Sequence, residues 1–295
     1  METERQIDVV RARVRAWQSQ GLTVGFVPTM GNLHEGHLRL VRHARQVSDR
    51  VVVSIFVNPT QFAPGEDFES YPRTMERDSE LLRAEQADQL FNPTVAEVYP
   101  RGLDHVATVH IPGLSEILCG AYRPGHFTGV ATVVCKLFNM VVPDRAVFGR
   151  KDFQQFQVIR RMVTDLNMPV EIIGSPTARE QDGLAMSSRN AYLEPAQRQL
   201  APALYRCLRR LAKALAAGER DFGMLESDGW RELATAGMLP DYVSIRRRAD
   251  LSEPVPDLPA DDLVVLAAVH LGRARLIDNI EVADVAAEGA VSRGQ

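Results

Sequence analysis

A near-continuous apolar run over residues 51–57 constrains the fold of this chain more than any other segment. It reads VVVSIFV and lacks the alternation of apolar and polar residues that a half-exposed strand shows. A strand of this composition needs burial on both faces, which parallel sheets covered by helices on both sides provide. The run therefore predicts a central strand of an α/β sheet.

The segments around this strand alternate between helical and β-branched patterns from residue 7 to about 175. Helical patterns cover residues 7–20, 36–47, 67–84 after a break at 71–72, 128–140 and 153–166. Strand patterns cover residues 23–27, 90–91, 106–111, 145–148 and 170–173. This alternation predicts a doubly wound, Rossmann-like parallel sheet, whose ligands bind beyond the carboxyl ends of the strands.

The pattern changes near residue 176. Helical patterns at 195–217 and 221–236 precede strand patterns at 242–246, 263–269 and 274–282. Helices followed by clustered strands are typical of an α+β domain. We therefore expect a Rossmann-like domain over residues 1–175, a smaller α+β lid domain over 176–284 and a flexible tail over 285–295.

Composition favours a cytoplasmic protein that is not a general nucleic-acid binder. The hydrophobic share of 45% and the charged share of 24% are ordinary, and a net charge of −4 argues against a nucleic-acid binder. The three cysteines are widely spaced, which predicts reduced thiols rather than disulfides. No stretch resembles a signal peptide or approaches the roughly 18 apolar residues of a membrane span.

A strand, a glycine-containing turn and two histidines follow one another over residues 23–37. His34 and His37 stand where the helical pattern begins, and Gly36 lies between them. A helix N-terminus attracts anions, and imidazoles placed there donate hydrogen bonds to phosphate. The arrangement predicts a nucleotide phosphate site. Zinc ligation, which needs at least a third protein ligand, and a purely structural role are the alternatives.

Two further segments carry polar groups at predicted strand ends. Gln61 follows the apolar run, and its amide both donates and accepts, although a loop cap is its commoner role. Gly149, Lys151 and Asp152 follow the strand at 145–148. Glycine allows a tight turn, lysine offers a charge for phosphate, and the aspartate binds ribose hydroxyls or caps the next helix. Gln155, three residues after Asp152, faces the same side of the first turn of that helix as Asp152 does.

A loop of small residues over 183–190 contains two hydroxyls and an arginine, Ser187, Ser188 and Arg189. Hydroxyl and guanidinium donors can converge on a polyphosphate. Such loops are common, so the prediction of a phosphate contact here depends on the other two segments.

These motifs resemble those of a known enzyme family. His34-Glu35-Gly36-His37 resembles the HIGH signature of class I aminoacyl-tRNA synthetases and related nucleotidyltransferases. Residues 186–189 resemble the KMSKS-type loop, although Ala185 stands where the lysine usually lies, which leaves Lys151 as the main phosphate lysine. From about residue 5 to 282 the chain resembles the pantothenate synthetase (pantoate–β-alanine ligase) family, through blocks at 28–37, 56–62, 71–74, 148–152 and 186–190.

The resemblance implies an ATP-dependent ligase that forms a homodimer through its larger domain. In this family the carboxylate of (R)-pantoate attacks the α-phosphorus of ATP, giving pantoyl adenylate and pyrophosphate. The amine of β-alanine then attacks the activated carbon, which releases AMP and pantothenate. Magnesium accompanies ATP, and its protein ligands stay open.

The resemblance also implies a set of site residues. His37, His34 and Lys151 are the implied catalytic residues, with His37 the proton donor. Gln61 and Gln155 would bind the hydroxyl and carboxylate groups of pantoate, and Gln61 would also lie near β-alanine. The implied ATP contacts are Met30, Gly31, Asn32, Leu33, His34, Glu35, Gly36, His37, Gly149, Arg150, Lys151, Asp152, Ala178, Met186, Ser187, Ser188 and Arg189.

Two other functions stay in competition at this point. A different nucleotidyltransferase would stop at an adenylated product and need no amine. A nucleotide-sensing module would bind ATP without releasing pyrophosphate, but it would leave the paired histidines unexplained.

Overall fold

The computed structural model describes residues 1–63, 65–66 and 68–285. Contacts between Cα atoms divide the chain into two compact units. Unit 1 contains Met1–Arg150 and Val158–Thr177, and unit 2 contains Lys151–Gln157 and the described residues from Ala178 onward. The predicted tail, residues 285–295, lies outside the described residues except for Val285.

Unit 1 is built on a sheet of six parallel strands. The strands are β1 (Glu2–Glu4), β2 (Val24–Thr29), β3 (Arg50–Ile55), β4 (Gln89–Phe91), β5 (Arg145–Gly149) and β6 (Glu171–Ser175). Their order in the sheet is β1-β4-β3-β2-β5-β6. The predicted doubly wound parallel sheet is confirmed, and the apolar run lies at its interior as β3, between β4 and β2.

The order of this sheet reverses between β2 and β5. These strands pair in parallel, with Phe26 opposite Ala146. The chain runs outward from β2 through β3 to β4 in one direction and from β5 to β6 in the other. Ligands of doubly wound sheets bind at the carboxyl ends of the strands at such a reversal. The carboxyl ends of β2 and β5 are Thr29 and Gly149, next to two of the predicted motifs.

Helices cover the sheet because their apolar residues recur at helical spacing. The helices of this part of the chain are α1 (Ile7–Gln18), α2 (Glu35–Val47), α3 (Met75–Ala84), α4 (Val95–Val98), α5 (Cys119–Tyr122), α6 (His126–Val141) and α7 (Phe153–Asp165). Helix α2 buries Leu38, Val41 and Ala44, which lie three residues apart on one face. Val41 and Ala44 join Val51 and Val53 of β3 in one apolar cluster.

Unit 2 contains helices and an antiparallel sheet, which confirms the predicted α+β class. The helices are α8 (Pro195–Leu200), α9 (Ala203–Ala216) and α10 (Phe222–Thr235), and the strands are β7 (Leu239–Arg247), β8 (Leu263–Leu271) and β9 (Ala274–Glu281). Strand β8 lies between β7 and β9. Leucines of α9 pack with residues of all three strands in one core. The predicted domain boundary at residue 175/176 stays a prediction.

Some predicted elements differ from the structure, and one strand was not predicted; the helix expected over 67–84 begins only at Met75. The single helix expected over 195–217 is two helices, because Pro202 stands at the N-cap of α9 and lacks the N–H that continuous helical bonding requires. Residues 106–111 form no strand; Val109 donates its backbone N–H to Thr132 Oγ1 instead. The polar strand β1 was not predicted, since it lacks apolar residues.

None of the described helices has the length and apolar character needed to cross a membrane.

Candidate active site

The turn between β2 and α2 has an unusual backbone. Gly31 and Asn32 both have positive φ angles, +83° and +50°. A Cβ atom at Gly31 would lie 3.0 Å from Ile55 Cγ2 and 3.1 Å from a carboxylate oxygen of Asp78. Gly31 therefore has a left-handed backbone conformation and little space for a side chain, so a larger residue would displace the turn.

The carboxylate of Asp78 holds this turn. Its two oxygens accept hydrogen bonds from the backbone N–H groups of Asn32 and Leu33, each at 2.8 Å. Asp78 is fully buried, so the two amides supply the hydrogen bonds that a buried carboxylate requires. Because Asp78 engages these amides, hydrogen bonds from the turn to an anion must come from other groups.

The two predicted catalytic histidines lie side by side at the start of α2. His34 is the N-cap, and its Nδ1 accepts a hydrogen bond from the Gly36 N–H at 3.1 Å. His37 Nδ1 accepts from the His34 N–H at 3.4 Å, and the ring centroids are 4.2 Å apart. A ring nitrogen that accepts carries no proton, so each neutral imidazole carries its proton on Nε2. The backbone thus sets both rings as Nε2–H donors.

Glu35, between the two histidines in sequence, belongs to a surface ion-pair cluster. Its carboxylate lies 2.6 Å from the Arg42 guanidinium and 3.4 Å from that of Arg39. The hydrogen bond from Arg42 holds the pKa of Glu35 below its usual range. Its negative charge also lies at the positive end of the helix dipole, which stabilises α2.

The predicted pantoate residue Gln61 lies next to the β2–α2 turn. Its Nε2 is 3.1 Å from Met30 Sδ, so the structure brings together two of the predicted site residues. Its Oε1 accepts a hydrogen bond from Asn58 Nδ2 at 3.1 Å, and its backbone oxygen lies 2.8 Å from His126 Nδ1. Gln61 is largely buried, and its amide has a defined orientation.

Unit 2 contains the predicted phosphate lysine and the serine loop. Lys151 and Ser187 line one small cavity in this unit together with Ala185, Asn190 and other residues. Lys151 Nζ is 3.6 Å from Asp152 Oδ1, and only 17% of the lysine side chain is exposed. The structure therefore brings the lysine to the same cavity as the first hydroxyl of the loop.

Main-chain bonds shape the serine loop. Met186 N–H donates to the Ala178 carbonyl at 2.9 Å, which places the predicted contacts Ala178 and Met186 side by side. Ser187 caps the short 3-10 turn Ser188–Tyr192 and accepts from the Arg189 N–H at 3.3 Å. These bonds order the backbone of the segment that resembles the KMSKS loop.

Arg179 anchors the same loop to β9. Its guanidinium donates to both carboxylate oxygens of the buried Asp278, at 2.6 and 3.0 Å, and to the Gly183 carbonyl at 3.1 Å. It also lies over the ring of Tyr205, 3.9 Å from the centroid. Asn279, the neighbour of Asp278, donates to the Lys151 carbonyl at 2.7 Å. One cluster thus positions both the loop and the lysine.

The remaining predicted residues occupy the segment after β5. Gly149 ends β5 with an ordinary φ angle, and Arg150 and Asp152 belong to a short 3-10 turn before α7. A Cβ at Gly149 would meet only Leu40 Cδ2, at 3.9 Å, so the tight turn expected there does not require glycine. Gln155 is half-buried in the first turn of α7.

Sequence reasoning missed Asp78, Arg179 and Asp278 as site-forming residues. Asp78 had a readable signal, because it lies four residues before the buried Leu82 on the apolar face of α3. A charged residue on a core-facing position predicts a specific buried partner. Arg179 and Asp278 are 99 residues apart in sequence, and no local pattern links them.

Comparisons with known proteins identify the relatives of this chain. Residues 2–281 match the family model of Pantoate-beta-alanine ligase. The chain is 56% identical over 280 residues to the pantothenate synthetase of Methylococcus capsulatus, covering 95% of this chain and 96% of that protein. It is 54% identical over 283 residues to the pantothenate synthetase of Pseudomonas aeruginosa, covering 96% and 99%.

Solved structures of pantothenate synthetases also superpose on this chain. The crystal structure of pantothenate synthetase from Thermus thermophilus superposes with a TM-score of 0.87 at 46% identity, covering 96% of this chain and 99% of that one. Pantoate-beta-alanine ligase from Francisella tularensis, complexed with beta-gamma ATP and beta-alanine, superposes with a TM-score of 0.80 at 32% identity, covering 96% and 98%.

Proposed function

This chain belongs to the pantoate-beta-alanine ligase family, and on that premise we propose that it joins (R)-pantoate to β-alanine with ATP. The pantoate carboxylate attacks the α-phosphorus, pyrophosphate leaves, and pantoyl adenylate forms. The β-alanine amine then attacks the acyl carbon, loses a proton and expels AMP. The ATP and β-alanine of the Francisella complex support both substrates.

The imidazole pair at the start of α2 carries the proposal. A carboxylate and a triphosphate repel each other, so their reaction needs donors arranged in advance around the phosphorus. The Nδ1 atoms of His34 and His37 accept from backbone amides, which leaves Nε2–H as the donor of each ring. We assign both histidines to the charge that develops on the α-phosphate, which each ring stabilises by donating an Nε2–H hydrogen bond while it keeps its proton.

The other roles follow from charge and position. Lys151, Ser187, Ser188 and Arg189 hold phosphates, because each offers N–H or O–H donors. Gly149 and Asp152 hold the ribose. Gln61 and Gln155 bind pantoate through amide groups. The further ATP contacts in this proposal are Met30, Gly31, Asn32, Leu33, Glu35, Gly36, Arg150, Ala178 and Met186.

Magnesium enters the proposal as part of the substrate MgATP. Among the described residues, no three His, Cys, Asp or Glu side chains cluster as a metal site. The Asp78 carboxylate binds backbone amides, and Asp152 lies beside Lys151. Mg²⁺ commonly keeps several waters and binds through substrate phosphates with few protein ligands, so this donor set fits an ion delivered with ATP.

A homodimer and a cytoplasmic location complete the proposal. Sedimentation velocity of the full chain would detect the dimer by its mass. Fractionation of the source cells would test the location.

A coupled assay for AMP and pyrophosphate tests the proposed reaction. With ATP and pantoate present, AMP should appear in amounts equal to pantothenate only when β-alanine is added. A nucleotidyltransferase that stops at the adenylate would release pyrophosphate without sustained AMP. A sensing module would release neither, and both outcomes contradict the proposal.

The variant His34→Asn tests whether the Nε2–H donor of His34 contributes to catalysis. Asparagine is among the best N-cap residues, so it replaces the Nδ1 acceptor and leaves the stability of α2 nearly unchanged. It cannot replace the Nε2–H donor. We expect an unchanged melting temperature and a kcat lower by about 10²-fold, as for loss of one oxyanion donor. A kcat near that of the wild type would show that His34 acts only as a cap.

A further inference from the structure

The side chain of Asn58 uses the hydrogen-bonding positions on both sides of its amide. Its Oδ1 accepts from the Tyr99 hydroxyl at 2.7 Å and from Thr60 Oγ1 at 3.1 Å. Its Nδ2 donates to the Gly129 carbonyl at 3.3 Å and to Gln61 Oε1 at 3.1 Å. Rotating the amide by 180° would place Oδ1 against the Gly129 carbonyl, so the network determines its orientation.

The orientation of Asn58 determines that of Gln61. Because Gln61 Oε1 is bound to an N–H of Asn58, its own Nε2 lies on the other side, 3.1 Å from Met30 Sδ. Thioether sulfur is a weak acceptor, so a ligand oxygen replaces it readily. Gln61 is therefore a hydrogen-bond donor in this arrangement.

Tyr99 stands at the far end of this chain of bonds. It is 3% exposed, and burial raises the pKa of its hydroxyl, which stays protonated and donates to Asn58. The surrounding backbone is tightly packed, since a Cβ atom at Gly129 would lie 2.3 Å from the Thr60 carbonyl oxygen. The network therefore has little room to rearrange around a different orientation of Asn58.

We propose that Tyr99 is a positioning residue for pantoate: through Asn58 it keeps Gln61 as a donor, so that Gln61 selects a substrate oxygen. The carboxylate and hydroxyl groups of pantoate are such acceptors, and β-alanine has its only acceptors on the carboxylate, at the end opposite to the amine that must reach the acyl carbon. This inference rests on the pantoate-binding role proposed for Gln61.

The variant Tyr99→Phe removes one oxygen atom and keeps the ring. We expect the KM for pantoate to rise about 3- to 10-fold, the range for one lost hydrogen bond. The KM for ATP should stay near its wild-type value, and the melting temperature should fall only slightly, because Asn58 Oδ1 keeps the bond from Thr60 Oγ1. Tyr122→Phe, which removes the same group from an exposed tyrosine, is the control and should change none of them.

A double-mutant cycle separates positioning from a general structural effect. In a Gln61→Ala background Tyr99→Phe should leave the KM for pantoate unchanged, because the group that Tyr99 orients is absent. If the two effects multiply instead, or if the KM values for ATP and pantoate rise by the same factor, Tyr99 acts only on stability and the inference fails.

The variant Gln61→Glu tests the donor role directly. The carboxylate can still accept from Asn58 but cannot donate, and it repels the pantoate carboxylate. Its KM for pantoate should exceed that of Gln61→Ala. A KM equal to that of the wild type would overturn the donor assignment. If Gln61→Ala itself leaves the pantoate KM unchanged while pantothenate is still formed, the role of Gln61 fails and the ligase function stands.

Discussion

The β2–α2 turn and the loop over residues 178–190 offer donors for anions, but different groups hold them in place. In the turn, two backbone amides bind the buried Asp78, and two further amides set the histidine rings. In the loop, the side chain of Arg179 binds Asp278 and stacks on Tyr205. The imidazoles are thus held by hydrogen bonds with the main chain, which we call the main-chain frame. The lysine and the hydroxyls are held through contacts of side chains, which we call the side-chain frame.

This difference suits two kinds of task. A hydrogen-bond donor to a developing charge must keep its position within a few tenths of an ångström, which main-chain bonds at a helix start provide. Lysine is a flexible point charge, so in the proposed role of neutralising phosphate it tolerates less exact positioning. We therefore expect changes in the turn to lower kcat and changes in the loop to raise the KM for ATP.

The largest effect should come from His37→Ala. This change removes an Nε2–H donor from the turn, and kcat should fall about 10²- to 10³-fold. Steady-state assays of pantothenate formation measure it, with thermal unfolding as the check on folding. His43→Ala changes a histidine of the same helix outside the proposed site and should retain wild-type turnover. A folded His37→Ala enzyme with normal kcat would contradict the assigned role.

The next largest effect should come from Asp78→Ala. The amides of Asn32 and Leu33 lose their acceptor, and each buried unsatisfied N–H costs about 1–3 kcal/mol of unfolding free energy. Because the histidines follow this turn directly, kcat should fall as well. Urea unfolding and steady-state kinetics measure both. Glu80→Ala, an exposed position of the same helix, is the control. Unchanged stability would show that water replaces the carboxylate.

Much of the frame in unit 1 was predictable from sequence, because local patterns specify it. The apolar run predicted an interior strand, and the histidine turn was placed correctly before α2. The glutamate strand β1 escaped prediction because it is held by backbone bonds to β4, with no apolar side chains to mark it. Residues 106–111 show the reverse case, since a β-branched pattern is present but forms no strand in the described chain.

The supports of the site were less predictable than its reactive groups. The histidines, the lysine and the glutamine could be selected from the sequence by residue type and by position after a predicted strand. Asp78, Asn58 and Arg179 act through contacts with residues made adjacent by the fold, and a single sequence contains no distance information. Of these three residues, only Asp78 could be suspected from the sequence, because it is an acidic residue on the buried face of a helix.

A smaller effect should come from Arg179→Lys, which tests the side-chain frame. Lysine keeps the charge but loses the two-pronged bond to Asp278, and a hydrogen bond to a charged group contributes about 1.5–3 kcal/mol. We expect a higher KM for ATP with kcat within about twofold of the wild type, since kinetic effects in this loop act on phosphate binding. Arg231→Lys, in a surface pair on α10, is the control. A selective fall in kcat would contradict the division of tasks.

The smallest effect should come from Asp182→Asn in the same loop. The hydrogen bond from Arg198 lowers the pKa of Asp182 below its ordinary value of 3.8. A lowered folded-state pKa means that the stabilisation is fully present above about pH 3.8 and is lost as pH falls through the folded value. Both side chains are more than one-third exposed, so solvent screening limits the contribution to below about 1 kcal/mol.

Urea unfolding of the wild type and Asp182→Asn at pH 7 and in steps below pH 3.8 measures this difference. The two proteins should differ slightly at pH 7 and converge as the wild-type carboxylate takes up its proton. Asp228→Asn, which removes a comparable surface partner on α10, is the control in the same unfolding series. If Asp182→Asn lowers stability equally at every pH, the ionised carboxylate makes no contribution and the ion pair with Arg198 does not hold this end of the loop.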